Sequence, residues 1–228
     1  MATSKNNQSG LNIEEALNNS EAFFVKNKKA LLYVVAAIII VIAGTILYKN
    51  YVSGPRGEKA STSLAKGQEY FNTESYEKAL NGDGMGYPGF VKIADDYSNT
   101  DAGNLANLYA GLSYAQMGKF SDAVKYLENF DTQSDLMISP AAVGALGNCY
   151  AHLNQLDKAV ETLKKAAKMA DNKSLSPTYL IQAGEILETQ GKKEDAVALY
   201  QEVKSKYNDK TSENYLQIDK YIERASQE

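Results

Sequence analysis

The segment Asn107–Phe130 reads NLYAGLSYAQMGKFSDAVKYLENF. It places Gly111, Tyr114, Gly118, Phe120, Ala123 and Leu127 in an order that the chain then repeats. In Ala142–Ala166, AVGALGNCYAHLNQLDKAVETLKKA, the same relative places hold Gly147, Tyr150, Leu156, Ala159, Leu163 and Ala166. In Tyr179–Val203, YLIQAGEILETQGKKEDAVALYQEV, they hold Gly184, Leu187, Gly191, Ala196 and Tyr200. The leading glycines are 36 and 37 residues apart. A period of this length marks a repeat architecture in which each unit is one supersecondary element. Apolar residues recur at helical spacing on both sides of each turn signal: Met117-Gly118-Lys119, Asn154-Gln155 and Gln190-Gly191-Lys192. Each unit is therefore a helix, a tight turn and a second helix. Glycine and alanine mark where the two helices cross closely, and the aromatic and leucine positions fill the space between units. One such unit cannot bury its apolar face alone, so the units must stack.

Working outward, a weaker copy precedes these three, with Gly67, Tyr70, Tyr76 and Ala79 in register. It is interrupted after Leu80 by Asn81–Gly89, NGDGMGYPG, before a helical pattern resumes at Phe90, Ile93, Ala94 and Tyr97. Five of those nine residues are glycine or proline, which break helices. Two readings stand for the insertion: a loop that contacts a partner, or a surface bulge between two helices. Ser139-Pro140 and Ser176-Pro177 each open a new first helix, where proline is tolerated. At the far end Tyr215, Ile218, Tyr221 and Ile222 lie on one helical face and would cap the apolar end of the last unit.

The small, Tyr/Leu, Ala and Leu/Tyr positions resemble those of the tetratricopeptide repeat family over roughly residues 59–206. The usual period of that family, about 34 residues, is stretched here, and its tryptophan position is not aromatic. The resemblance implies an all-α fold, a helical solenoid whose first helices line a concave face. On that face it puts Leu64 and Phe71, then Leu105, Leu108, Tyr109, Leu112 and Gln116, then Asn148 and His152, and finally Ile181, Gln182, Glu185 and Glu188. The candidate partner-binding groove is Leu105, Leu108, Tyr109, Leu112, Gln116, Asn148 and His152. No lysine or arginine stands among these positions, so the groove grades from apolar to acidic and suits a hydrophobic or amphipathic segment rather than a terminal carboxylate. The alternative for the leucines is packing within the solenoid.

Ahead of the repeats, Ala30–Tyr48 reads ALLYVVAAIIIVIAGTILY, 19 residues without a charge and without a polar stripe. Tyr33, Tyr48 and Tyr51 stand near its ends, where the bilayer interface favours aromatic rings. A cleaved signal peptide fits less well, because 29 residues precede the run and no small-x-small site follows it. Lys26, Lys28 and Lys29 flank its N-terminal edge against Lys49 and Arg56 beyond it, so the positive-inside rule places the N-terminus in the cytosol. The expected organisation is a cytosolic tail at 1–29, a single transmembrane helix at 30–49, a linker at 50–58 and the repeat domain with its C-terminal capping helix at 59–228. The expected location is a bacterial inner membrane, with the repeats in the periplasm. In the tail, Leu11, Ala16, Leu17, Phe23 and Phe24 form an apolar side.

Residues 51–228 hold 19 basic and 25 acidic residues, a poor match for nucleic-acid phosphate. No phosphate loop or calcium loop is present; Gly82–Gly89 lacks the lysine and hydroxyl of the first and the oxygen spacing of the second. Cys149 and His152 are too few for a zinc site, and Cys149 sits beside a packed tyrosine position where thiols are inert. The chain is thus expected to be no enzyme and to bind no cofactor, metal or small-molecule substrate. Its expected partners are other proteins and the lipid bilayer.

A second resemblance lies at the N-terminal edge of the apolar run. Phe23, Phe24, Asn27 and Lys29 match the Phe-Phe-x-x-Asn-x-Lys signature of the YfgM-like ancillary subunits of the Sec translocon. That family joins a short cytosolic tail, one anchor and an exported repeat domain. It implies an accessory to Sec-dependent export that hands emerging chains to periplasmic chaperones. The other class of function open to such a chain is a structural scaffold for outer-membrane or cell-wall assembly.

Overall fold

A computed structural model describes residues 25–48, 51, 54–208 and 213–227, without the side chains of Asn214 and Tyr215. The readings of the tail, Phe23 and Phe24 included, lie outside the described residues. The chain forms two compact units, divided between Pro55 and Arg56. The first contains helix α1, Lys28–Tyr48, whose 21 residues make it long and apolar enough to cross a membrane. At 1.5 Å per residue it measures about 31 Å, close to the hydrocarbon thickness of a bilayer. The hydroxyl of Thr45 donates to the Ile42 carbonyl at 2.7 Å, so this side chain is satisfied within the helix.

The second unit is all helix among the described residues. Its elements are α2 (Gly54–Asn72), α3 (Tyr76–Asn81), α4 (Phe90–Asp96), α5 (Asp101–Gln116), α6 (Phe120–Glu128), α7 (Ile138–His152), α8 (Leu156–Ala170), α9 (Ser176–Thr189), α10 (Lys193–Lys206) and α11 (Glu213–Ser226). Helix α2 begins at Gly54, within the stretch read as a linker. Consecutive helices pack on one another, so α5/α6, α7/α8 and α9/α10 are the three units read from the sequence.

The turn inside each unit is closed the same way. The amide after the turn residue bonds back five residues: Ser75 to Tyr70, Lys119 to Tyr114, Gln155 to Tyr150 and Lys192 to Leu187. The turn residues themselves, Glu74, Gly118, Asn154 and Gly191, all have positive φ. This is the Schellman closure, which satisfies carbonyls at the helix end and needs a left-handed residue. Glycine adopts that conformation freely at Gly118 and Gly191, whereas Glu74 holds it at some cost.

The glycine ladder lies where the sequence placed it. A β-carbon added at Gly111 would sit 2.6 Å from Cγ of Leu127, and one at Gly147 would sit 2.8 Å from Cγ of Leu163. Ala79, Ala123, Ala159 and Ala196 are all fully buried beside these crossings. Entry to α7 and α9 is also repeated. Asp135 accepts bonds from the amides of Met137, Ile138 and Ser139, and Asn172 accepts from those of Ser174 and Leu175. Ser139 and Ser176 are buried, and each accepts a loop amide, from Gln133 and Asn172.

The insertion is part of the core. Phe90 is fully buried and Tyr87 is 3% exposed, and both press on Gly67, taking the place that Leu127 and Leu163 fill in the next two units. Tyr87 donates its hydroxyl to the Ala79 carbonyl at 2.7 Å. Asp83 organises the loop: its carboxylate, 1% exposed, pairs with Lys66 at 2.6 Å and accepts from Tyr70 and from the amides of Met85 and Tyr87. The tip, Gly84–Gly86, is exposed, with Met85 at 83%. A surface bulge is thus too weak a description, because half of the segment completes the first unit.

Candidate protein-binding cleft

Helix α5 is held firmly at its N-terminal end. Thr100 caps it by accepting from Gly103, and Asn104 exchanges two bonds with the Asp131 backbone in the loop after α6. Leu105, Leu108, Tyr109 and Leu112, at helical spacing along α5, line one cleft of about 290 Å³ with Met137, Ile138, Ala141 and Ala142 from the start of α7. Its walls are aliphatic but for the Tyr109 ring. Tyr109 is fixed by stacking on Phe90 at 5.3 Å and by an edge contact from Phe71 at 5.4 Å. Leu108 is 7% exposed and packs with Ala123 and Leu127, so it supports the solenoid and floors the cleft at once.

The other expected groove residues do not join this cleft. Gln116 is exposed at the end of α5. Asn148 is half-buried, and His152 is exposed with its ring stacked on Phe120 at 4.0 Å and 3°. Met137 and Ile138, 54% and 52% exposed, are additions that helical periodicity did not find, because they stand at a helix entry and not along a helix. The signal for them was the run Leu136-Met137-Ile138 between a capping aspartate and Ser139-Pro140. A turn with three consecutive apolar residues is anomalous, and an exposed group of them marks an interaction surface.

At the other end of the solenoid the expected acidic grading is altered by α11. Arg224 donates to both oxygens of Glu188 at 2.9 and 2.6 Å, and Tyr200 donates to the same carboxylate. The Arg224 guanidinium holds the Glu188 carboxyl below its ordinary range. Ile181 is core. Ile218 and Ala225 are buried in that core as well, with Tyr221 and Ile222 packed against it, so α11 covers the last unit.

Cys149 is 2% exposed, and burial pushes its thiol up to about 11, which leaves little thiolate at neutral pH. Among the described residues no group of three or more His, Cys, Asp and Glu side chains is placed to hold a metal.

Comparison with known proteins agrees with this geometry. The sequence profile of the tetratricopeptide repeat-like domain matches residues 21–220. No curated protein sequence gives a significant match. Among solved structures, nearly identical TPR-like repeats from Podosopora anserina superpose with a TM-score of 0.57 at 14% identity, covering 74% of this chain and 86% of that one. A single-residue variant of those repeats gives the same score and identity and is covered over 85% of its length. At that identity the likeness is one of fold. Solenoids of this kind serve as protein-interaction scaffolds through the surfaces that their stacking creates. With most of its length matched, this chain belongs to the tetratricopeptide repeat-like domain family.

Proposed function

We propose that the chain is a single-pass membrane protein of the bacterial inner membrane, with a cytosolic N-terminus, that holds a protein-binding repeat domain in the periplasm as an accessory to protein export. The observation that carries the reading is an open aliphatic cleft between α5 and α7 in a chain that also bears one apolar helix of bilayer length. A cleft of this chemistry takes the apolar side of an amphipathic or unfolded segment, and emerging exported chains offer such segments. The resemblance of Phe23, Phe24, Asn27 and Lys29 to the Sec-accessory signature supports the same placement.

Affinity purification of the full chain from gently solubilised membranes tests it. Recovery of Sec channel subunits or periplasmic chaperones is the expected result. Recovery of cell-wall synthases or outer-membrane assembly factors in their place would move the protein to an envelope-assembly role.

A further inference from the structure

A second cleft lies between α8 and α10, and its chemistry is opposite to that of the first. Its volume is about 490 Å³. The floor is apolar and recessed, with Ala167, Leu180 and Tyr207 2%, 3% and 4% exposed. The α8 wall carries Lys164, Lys165 and Lys168, all exposed and, among the described residues, none in an ion pair or hydrogen bond. Lys206 forms the α10 wall, fixed at 2.7 Å to Asp171 and lying over the Tyr207 ring. Glu202 is the one acid on the rim. The nearest acid on α8, Glu161, sits one turn back and lines the neighbouring cleft toward α6, whose rim Lys165 shares.

Two features make this more than a solvated lysine face. Lys164 and Lys168 are one turn apart on the same side of α8, an arrangement that repels and destabilises a helix unless an anion offsets it. It also stands out against the first half of the repeat domain, because residues 56–135 carry 7 basic and 12 acidic residues. We propose that the α8/α10 cleft is a docking site for an acidic peptide segment of a partner protein, with carboxylates on the three free lysines and one apolar side chain on the Leu180–Tyr207 floor. The shape favours a peptide over a bilayer, since the apolar floor is sunk behind the lysines and has nothing projecting to enter lipid. This site is separate from the aliphatic cleft and stands whether or not that cleft binds exported chains.

The test uses the full chain in neutral detergent and a fluorescent synthetic peptide of glutamates around a central leucine. Binding is measured by anisotropy for the wild type, for K164Q/K165Q/K168Q, and for K78Q/K119Q/K125Q, which removes the same charge elsewhere. The proposal expects the α8 triple variant to weaken binding about tenfold and the control triple to change it by less than about twofold. It also expects loss of binding in ~0.5 M salt, because the contact is made of exposed charges. Replacing the peptide's leucine with serine should weaken it further. Equal loss in both triple variants would reduce the effect to net charge and overturn the proposal. Displacement of the peptide by phosphatidylglycerol vesicles, with no displacement by phosphatidylcholine vesicles, would overturn it in favour of a lipid surface.

Discussion

Tyr200 of α10 lies flat against Gly184 of α9, so close that a β-carbon on the glycine would stand 2.4 Å from Cε1 of the ring. Tyr200 is fully buried, and its hydroxyl is committed to Glu188. The ring therefore has no space to retreat into. This contact is the last rung of the ladder that sets the distance between the two helices of each unit.

Gly184→Ala sets two effects against each other. Alanine is the better helix former by about 1 kcal/mol, while overpacking a closed crossing costs about 1–3 kcal/mol. The crossing wins, and the thermal midpoint falls. Gly57→Ala is the matched control, since a β-carbon at Gly57 in α2 meets nothing within 4 Å. There only the propensity gain operates and the midpoint holds or rises. Circular-dichroism melts of both variants check this. A midpoint raised by both substitutions would show that the helices are not in contact at Gly184.

Arg224→Ala should loosen the cap. It removes two charge-assisted bonds to Glu188, but the arginine side chain is 53% exposed, so water screens much of their value. A loss of about 1 kcal/mol is expected. The change should concentrate in α11, read as faster amide exchange over residues 216–225 with the α5–α8 amides unaffected. Uniform acceleration throughout the domain would mean that the cap is not a separate element.

Asp83 gives the first unit a dependence on acid. Lys66 first, and the Met85 and Tyr87 amides with it, hold the Asp83 carboxyl far below its ordinary 3.8. A folded pKa below the unfolded one stabilises the fold above the unfolded value and loses that contribution as pH falls below it. Stability owed to Asp83 is therefore full above about pH 5 and declines below about pH 4. Asp83→Asn should lower the midpoint at pH 7 and flatten its fall between about pH 4 and pH 3. Thermal melts across that range measure it, and an unchanged slope in the variant would remove Asp83 from the account.

The sequence carried the repeat well because its signals are local. Gly111, Gly147 and Gly184 recur at a fixed period, and their partners Leu127, Leu163 and Tyr200 sit 16 residues on in each unit. Contacts set by folding at a distance were not legible. Nothing in the order of residues pairs Lys66 with Asp83 or puts Tyr87 into the place of a helix leucine. Arg224 and Glu188 are 36 residues apart on helices that meet only in the folded solenoid. In the cleft, the four α5 positions followed from the resemblance to the tetratricopeptide repeat family, which puts first-helix residues on the concave face. Met137 and Ile138 did not, because their direction is set by Asp135 capping the backbone around them. His152, which the same resemblance puts on the groove side, is exposed and stacks on Phe120 outside this cleft.

The topology is tested by protease accessibility. With the N-terminus cytosolic, protease added to spheroplasts should digest the chain beyond about residue 55 and spare the tail, as the Lys26, Lys28 and Lys29 cluster requires. A repeat domain that stays protected until the membrane is lysed would reverse the orientation.

The most direct test of the central claim is photo-crosslinking from the cleft itself. A photoreactive phenylalanine analogue at Ile138 keeps the position apolar and is exposed enough to be accepted. The same group at Lys119, exposed in the turn between α5 and α6, serves as control. In intact cells, Ile138 should capture exported chains or their chaperones. The yield should persist in membranes washed in ~0.5 M salt, where exposed charge pairs are screened, and Leu112→Ser should reduce it. Crosslinks of equal yield from Lys119, or a yield from Ile138 that vanishes in salt and survives Leu112→Ser, would contradict binding in the aliphatic cleft.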